Sequence, residues 1–313
     1  MDAFVFSLLN GLVYGLLLFM VSAGLTLVFG MMGVLNFAHA SFYMLGAYFS
    51  FALQGLLGFG PAVVVATLLS GLVGVIVERF FLRRVHAHGH AHELLLTFGL
   101  SFIIAEAIKL FFGNFPVDYR IPASLDFTAF RIGAQSYPAY RVLMAVVALA
   151  MFGALYLLLT RTRIGIIVRA AIHKPRMAQA LGHNVQLVFM GVFGVGAALA
   201  GLAGAVAGAF YTTNPNMALE VGVMVFVVVV VGGLGSLGGA MLASLLIGVV
   251  TSLAVSVDRS LADLLGFVGA QAWAENIGGL MTLKVSSLAA TLPFMLMLLI
   301  LLVRPRGLMG EKN

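Results

Sequence analysis

The sequence predicts an all-α membrane protein, a polytopic transmembrane helix bundle of about eight or nine spans with re-entrant or broken helices. Hydrophobic residues make up 62% of the 313 residues and charged residues only 9%, whereas a soluble domain carries about 25% charged residues. The mean hydropathy is +1.12. The apolar residues form unbroken runs, which disfavours the alternating pattern of a membrane β-barrel. Helices satisfy their backbone hydrogen bonds within one segment in lipid, so a helix bundle is the predicted architecture.

A spanning helix needs about 20 apolar residues, and nine segments are candidates. Val221–Val231 is short, and a partial, re-entrant helix is an alternative there. The polar segments are shorter than an independent domain needs, so we predict one transmembrane domain over residues 1–313. The candidate spans are Phe4–Phe29, Ser41–Leu57, Pro61–Val77, Leu94–Phe112, Arg141–Thr160, Val185–Phe210, Val221–Val231, Gly238–Val255 and Leu288–Val303.

Basic residues are concentrated in three segments, Arg79–Arg84, Arg161–Arg176 and Arg304–Lys312. With nine spans all three fall on one side of the membrane, and the positive-inside rule makes that side cytoplasmic. The N-terminus is then outside and the C-terminus cytoplasmic. The Asn114–Tyr140 loop and an amphipathic stretch, Leu261–Met281, also fall outside. The net charge of +6 is therefore read as a feature of topology and not as a sign of nucleic-acid binding.

Small residues recur every four positions in the segment Gly191–Phe210. Membrane helices pack through such residues because lipid gives no hydrophobic drive between them and close backbone approach remains. Packing within the chain and contact with another subunit are both open. The two series are Gly196, Ala200, Gly204 and Gly208, and Ala197, Gly201, Ala205 and Ala209.

A second glycine cluster, Val230–Leu242, contains Gly232, Gly233 and Gly235. It is either a hairpin between two spans or a broken helix that lines a cavity, since irregular backbone at membrane depth survives beside protein or water. It is not a phosphate loop. A Walker A motif needs Gly-Lys-Ser/Thr, and no lysine of this sequence follows a glycine. We therefore predict no ATP hydrolysis by that machinery, and no arrangement of residues indicates catalysis.

Asn36 and His39 lie three residues apart in an apolar stretch, just before Ser41. An unpaired polar group in hydrocarbon costs several kcal/mol, so both side chains must meet protein or water. Two interpretations are open. The residues form a local cap or an interhelical hydrogen bond at a turn, or they line or gate a pathway through the membrane.

Two other polar groups are interpreted as structural. Glu106 and Lys109 stand at i and i+3 and are predicted to pair with each other. The alternating histidines of the segment 85–93 are predicted to lie in a solvated loop, and no metal site is predicted.

The longest basic loop, Arg161–Val185, predicts two short helices at the membrane face. An amphipathic helix over Ile164–His173 is followed by a turn at Lys174-Pro175. A second helix, Arg176–Leu181, ends at Gly182, a residue typical of a helix C-terminus. Such a loop is either an interfacial anchor or an element that docks into a groove on another protein.

The stretches GLTLVFGMMGVLNFAHASFYMLGAY (Gly24–Tyr48) and VRAAIHKPRMAQALGHNV (Val168–Val185) resemble a known family. They are similar to the permease subunits of high-affinity branched-chain amino acid ABC importers, of the LivH type. The resemblance runs over nearly the whole chain and includes GGLGSLGGA and the terminal RPRGLMG.

The resemblance implies an assembly in the cell inner membrane. A second permease chain of the LivM type completes the translocation pathway, two ABC ATPase subunits bind on the cytoplasmic side, and a periplasmic substrate-binding protein delivers the solute. This chain itself is then not an enzyme and binds no cofactor, and ATP is used by the partner subunits.

The resemblance also implies roles for residues of this chain. The Arg161–Val185 loop would couple the permease to the ATPases, although Arg169-Ala170-Ala171 stands where the broader importer loop opens with Glu-Ala-Ala. Which residue contacts the ATPase stays open. The coupling candidates are Arg169, Lys174, Pro175, Arg176, Ala178, Leu181 and Gly182; the pathway or gate candidates are Asn36, His39, Ser41, Gly232, Gly233 and Gly235.

Three alternative functions remain at this point. Importers of urea, short amides or other small polar solutes have similar permeases. An ion-coupled secondary transporter or channel would carry solute with this chain alone, indifferent to ATP. A membrane scaffold would give no flux even with every partner present.

Overall fold

The computed structural model of the chain describes residues 2–173, 175–257 and 282–310, together with residues 260, 263, 273, 276 and 279. Two sequence predictions therefore lie outside the described residues. They concern Lys174 and almost all of the amphipathic stretch Leu261–Met281.

Each of the nine predicted spans coincides with a helix. Within the described residues seven helices are long and apolar enough to cross a membrane, while α9 and α11 are shorter, with 16 and 12 residues. The predicted helical membrane bundle is confirmed. The helices are α1 (Asp2–Met32), α2 (His39–Leu57), α3 (Phe59–Val77), α4 (His90–Phe112), α5 (Ala139–Arg161), α6 (Arg163–His173), α7 (Pro175–Ala180), α8 (Val185–Ala207), α9 (Met217–Gly232), α10 (Leu237–Ser256) and α11 (Leu292–Val303).

One end of the bundle, called here the basic end, gathers the three arginine-bearing segments. After α3 the chain continues through a π-helical turn, Glu78–Leu82, and the Arg83 guanidinium donates to the carbonyl of Gln186 near the start of α8 at 3.3 Å. The Arg169 guanidinium of α6 donates to the carbonyl of Leu159 near the end of α5. The antiparallel bundle thus brings together segments that are far apart in sequence.

The tail after α11 completes the basic end. The backbone N–H groups of Leu308 and Met309 donate to the carbonyls of Val231 and Gly232 at 2.8 and 3.0 Å. Gly233, with φ of +100°, faces Gly310 so closely that a Cβ would lie 2.5 Å from its nitrogen. The glycine cluster is therefore a tight hairpin between α9 and α10, sealed by the tail.

The opposite end carries the N-terminus and a small two-stranded sheet that the sequence analysis did not predict. Strand β1 (Thr128–Ile132) pairs antiparallel with β2 (Gln135–Pro138), with Ile132 opposite Gln135. The turn residue Gly133 lies against the Asp2 carboxylate at the start of α1. The Val117 N–H donates to the Thr213 carbonyl at 3.0 Å, which ties the loop before the sheet to the chain after α8.

Helix α8 lies at the centre of the bundle and packs through its small residues. A Cβ on Gly196 would lie 3.0 Å from the carbonyl oxygen of Gly24 in α1, and one on Gly204 would lie 1.8 Å from that of Tyr43 in α2. A Cβ on Gly194 would lie 2.6 Å from a side-chain methyl group of Val75 in α3. Of the two interpretations of the small-residue series, packing within the chain is the one that these contacts show.

Candidate functional site

The connection between α1 and α2 is a break inside the bundle. Helix α1 ends at Met32, where Gly33 adopts φ of +66°, and α2 begins only at His39. Residues 33–38 are thus largely non-helical, and Val34 is completely buried. Asn36 lies in this non-helical segment, before the start of α2.

His39 begins α2 at about half the depth of the bundle. Its Nε2 is 2.9 Å from the carbonyl oxygen of Val21. Val21 lies eleven residues before Met32, the last residue of α1, which is roughly 16 Å along a helix that rises about 1.5 Å per residue. The segment 33–38 therefore runs inward from the basic end and places the start of α2 in the membrane interior.

The three polar residues of this break are all buried, with Asn36 at 4%, His39 at 2% and Ser41 at 1% exposure. The Asn36 Oδ1 accepts a hydrogen bond from the Ala38 N–H at 3.0 Å. The Phe37 N–H donates to the Thr97 Oγ1 of α4 at 3.2 Å. Ser41 Oγ and His39 Nδ1 have no hydrogen-bond partner among the described residues. The break thus contains a local hydrogen bond made by Asn36 and two buried polar atoms that have no partner among the described residues.

These polar residues border a cavity of about 420 Å³ between the start of α2, α4 and α9. The volume lies within the range of ligand pockets, roughly 300–1,000 Å³. The cavity extends to Pro215 and Asn216, which precede α9 at the opposite end, while the break forms its floor towards the basic end. Its other lining residues include Leu25, Phe98, Ser101, Phe102, Leu219, Val223 and Phe226.

Glu106 and Lys109 line the same cavity from α4, nearer the opposite end. The Lys109 Nζ is 2.7 Å from the Glu106 Oε1, and the Glu106 side chain is 68% exposed. The predicted pairing is confirmed. The two opposite charges offset each other at the cavity wall. Because the pair is exposed, it contributes little to the stability of the fold.

The glycines of the predicted pathway lie elsewhere in the described structure. Gly232, Gly233 and Gly235 belong to the hairpin between α9 and α10 and are not among the residues that line the 420 Å³ cavity. A Cβ on Gly235 would lie 2.9 Å from the Cα of Gly30, close to the end of α1. The hairpin thus adjoins the segment that forms the cavity floor.

The loop Arg161–Val185, called here the elbow, folds as the sequence predicts. Helices α6 and α7 pack against the start of α8 through Ala171, Ala178 and Val185, which are buried together. Gly182 has φ of +86° and its N–H donates to the Gln179 carbonyl at 2.9 Å. The chain then enters α8, where the Asn184 Oδ1 accepts from the Leu187 N–H.

The elbow presents an apolar groove of about 300 Å³ between α6 and α7. Leu181 is 78% exposed and Met177 61% exposed at its edge, while Arg169 and Arg176 are exposed beside it. A groove with exposed apolar residues and a basic rim is typical of a protein-docking surface. Its other lining residues are Ile166, Ile167, Ala170, Ala178 and His183.

Sequence reasoning missed two buried carboxylates near the basic end. Glu78 is 2% exposed and pairs with Arg83 at 2.8 Å. Glu93 is 1% exposed and contacts both His86 and His90, the latter at 3.2 Å. The prediction of a solvated histidine loop therefore misses these contacts. The sequence contained little sign of these pairs, because a glutamate, an arginine or a histidine by itself is common in a polar loop.

Long apolar helices, a polar-floored cavity and a basic elbow define a multi-pass helical membrane protein of the permease class. The chain belongs to the family described as branched-chain amino acid transport system / permease component, whose family model matches residues 7–301. The predicted resemblance is thereby confirmed.

Two of the relatives match over almost their whole length and a third over about four fifths of it. The chain is 28% identical to the high-affinity branched-chain amino acid transport system permease protein BraD of Pseudomonas aeruginosa, covering 97% of this chain and 95% of that one. It is also 28% identical to the corresponding protein LivH of Escherichia coli, covering 98% and 96%. A probable permease LivH of Methanocaldococcus jannaschii is 28% identical over 78% of this chain and 79% of that one. No solved structure matches the chain significantly.

Proposed function

We propose that this chain is a permease subunit of an ABC importer and forms the translocation pathway for branched-chain amino acids. The observation that carries the proposal is the cavity with a polar floor and apolar walls in a member of this permease family. A second, LivM-type permease chain completes the pathway, two ABC ATPase subunits supply the energy, and a periplasmic binding protein delivers the solute. The chain itself binds no cofactor.

The cavity suits an aliphatic amino acid. Phe98, Phe102 and Leu219 offer an apolar wall to the side chain, and burying such a side chain contributes about 1.5–3 kcal/mol. Asn36, His39 and Ser41 border the floor. No cluster of unpaired charges lines the cavity within the described residues, so binding stays weak and release remains possible.

The floor is the proposed inner gate. Residues 33–38 separate the cavity from the basic end, and they are followed by the buried start of α2. Gly232, Gly233 and Gly235 belong to this gate because their hairpin contacts Gly30 on one side and the C-terminal tail on the other. A shift of α1 or α9 at the basic end would move the floor.

The elbow is the proposed ATPase-docking element. Its groove and basic rim lie at the basic end, and its buried alanines join it to α8, the central helix of the bundle. The residues proposed to take part are Arg169, Lys174, Pro175, Arg176, Ala178, Leu181 and Gly182. Movement of a docked ATPase would therefore reach α8 directly.

The basic end is cytoplasmic in this proposal, by the positive-inside rule. The N-terminus and the sheet are periplasmic and the C-terminus is cytoplasmic. The chain has no native cysteine, so single cysteines report the orientation cleanly. In intact cells an impermeant maleimide labels Ala134→Cys, in the sheet turn, and spares Gln179→Cys, in α7. The reverse pattern contradicts the proposal.

Transport is tested in proteoliposomes that contain the chain with its co-purified partner subunits. Radiolabelled leucine accumulates only when ATP and the binding protein are supplied. Uptake of urea and not of leucine would show that the transported solute belongs to a different class from the one proposed. Leucine uptake by this chain alone, driven by an ion gradient, would overturn the importer mechanism.

Coupling is tested with a matched pair of variants in the elbow. Leu181→Asp places a charge at the edge of the apolar groove, so co-purification of the ATPase subunits and ATP-driven uptake are lost. Gln179→Asp places the same charge at an exposed position of α7 that does not line the groove, and it retains both. Equal retention of the ATPases by the two variants would refute docking in the groove.

A further inference from the structure

The cavity floor, residues 33–38, is tied by one hydrogen bond to a helix other than α1 and α2, counted over the described residues. The Ala38 N–H bonds within the segment, to the Asn36 side chain at 3.0 Å. The Phe37 N–H instead leaves the segment and donates to the Thr97 Oγ1 of α4 at 3.2 Å. The position of the floor relative to α4 therefore depends on this bond.

The Thr97 hydroxyl is oriented to accept it. Thr97 is completely buried, and its Oγ1 donates its proton to the Leu94 carbonyl of the same helix at 3.2 Å. A hydroxyl has one proton and two acceptor lone pairs, so the oxygen that faces Phe37 can only accept. Both partners of the bond are thus fixed by the backbone, one in the floor and the other in α4.

Phe37 is the exposed side chain of the floor. It is 51% exposed and lines the cavity, whereas Asn36 and Ala38 on either side of it are buried. Its ring meets Phe98 of α4 edge to face, with the ring centroids 6.3 Å apart. The backbone bond to Thr97 and the ring contact together place this side chain between the floor and α4.

Helix α4 is peripheral and reaches the basic end. Few buried contacts resist its displacement. Glu93 in its first turn contacts His86 of the segment that follows α3, and Thr97 lies about one helical turn further on. A displacement at the basic end therefore reaches the floor bond within one turn. The buried residues of α4 are Glu93, Thr97, Ile104 and Ile108, out of 23.

We infer that Thr97 is a positioning residue of the proposed inner gate, where its hydroxyl holds Phe37 in place and the Phe37 ring closes the floor beside α4. This inference rests on the proposed function. When α4 and the floor separate, the Phe37 N–H exchanges Thr97 for water and the ring leaves Phe98. A neutral hydrogen bond shifts an equilibrium by roughly 2- to 12-fold, so it favours the closed floor and still lets it open.

Two substitutions of Thr97 separate its hydroxyl from its shape. Valine keeps the branched shape and lacks the hydroxyl, whereas serine keeps the hydroxyl. The complete complex is reconstituted in proteoliposomes loaded with radiolabelled leucine, and efflux is measured without ATP. We expect Thr97→Val to leak about fivefold faster than the wild type and Thr97→Ser to stay within about twofold of it. Wild-type efflux from Thr97→Val overturns the inference, and a lower melting temperature without a leak would make Thr97 a structural residue only.

The ring is tested with a matched pair of alanine variants. Phe37→Ala removes the ring and keeps the backbone bond, so it should leak at least as much as Thr97→Val. Phe111→Ala removes an exposed ring of α4 that does not line the cavity, and it should leak as the wild type does. Unchanged efflux from Phe37→Ala, or an equal rise in both variants, contradicts closure by the Phe37 ring.

A measurement on the wild type covers the case in which the variants fail to fold. Hydrogen exchange resolved to single amides compares the nucleotide-free complex with the complex trapped by ATP and vanadate. The Phe37 amide should exchange at rates that differ by about fivefold or more, because its bond to Thr97 is broken in one of the two states. The Ala38 amide is the internal control, since its acceptor lies in the same segment.

Equal exchange of the Phe37 amide in the two states contradicts the inference, and so does an equal change at Phe37 and Ala38. Absence of ATP-dependent leucine uptake by the wild-type complex is a different result, because it refutes the proposed function itself.

Discussion

Gly46 offers a sharp test of how this bundle is held together. It lies on α2 opposite Gly201 of α8, and a Cβ built on it would be 2.0 Å from the Gly201 carbonyl oxygen and 2.5 Å from its Cα. Ordinary contact begins near 3.4 Å, so the Gly46→Ala substitution forces the two backbones apart by about 1.4 Å. The obstacle is backbone, and no side chain can rotate away from it.

The magnitude follows from that separation. A gap of 0.5–1 Å already forfeits a quarter to a half of the dispersion attraction between facing atoms. Overpacking costs typically about 1–3 kcal/mol, and a backbone obstacle belongs at the upper end, about 3 kcal/mol. At about 2–4 °C per kcal/mol, we expect the melting temperature of the purified protein to fall by about 6–12 °C.

Gly55 is the matched control, because it lies on the same helix and a Cβ added there would have nothing within 4 Å. There alanine gains up to about 1 kcal/mol of helix propensity, so Gly55→Ala should melt at or slightly above the wild-type temperature. Thermal unfolding followed by size-exclusion chromatography in detergent measures both variants. Equal melting temperatures for the two would refute the close-packing argument.

The remaining predictions concern polar contacts. Arg83→Met leaves the buried Glu78 carboxylate without its partner at 2.8 Å and should cost about 2 kcal/mol of stability after allowance for the solvent access of Arg83. The control is Arg84→Met, at an exposed position, which should cost little. Similar melting temperatures for the two variants would count against a stabilising Glu78–Arg83 pair. Tyr119→Phe removes hydrogen bonds to Ser50 and to a backbone carbonyl, both 2.7 Å long, and should cost about 1 kcal/mol at pH 7. Burial raises the pKa of the Tyr119 phenol from 10.0 to about 12, so the folded state favours the neutral form and the wild-type advantage is complete below pH 10. It is lost as the pH rises through 12, and thermal unfolding at several pH values would show whether the gap between wild type and variant closes.

The sequence predicted the spans well because lipid imposes a local rule. Each spanning segment must be apolar along its own length and satisfy its own backbone, so a run such as Val185–Phe210 identifies a helix without knowledge of its neighbours. The elbow was equally local, since the sequence pair Lys174-Pro175 predicted a turn between its two helices and Gly182 predicted a helix end. The predicted helix boundaries were less accurate, since α9 begins at Met217 and not at Val221.

The candidate site was only half visible in the sequence. The residues Asn36, His39 and Ser41 stand out as polar groups in an apolar stretch, but their depth and their cavity depend on where α1, α4 and α9 lie. The buried Glu78 and Glu93 gave no signal because their partners are ordinary loop residues. The small sheet was missed since four- and five-residue strands carry little pattern of their own.

The sequence by itself therefore showed that the protein lies in a lipid bilayer, and it identified the helices, the basic segments and the family. These features follow from composition and from local hydrogen bonding, which each segment carries within itself. Only the tertiary structure decided that the small residues of α8 pack against α1, α2 and α3, that the glycine hairpin is sealed by the tail, and that the His39 ring meets Val21 beside a cavity. Those are contacts between segments distant in the chain, and their geometry exists only once the helices have packed.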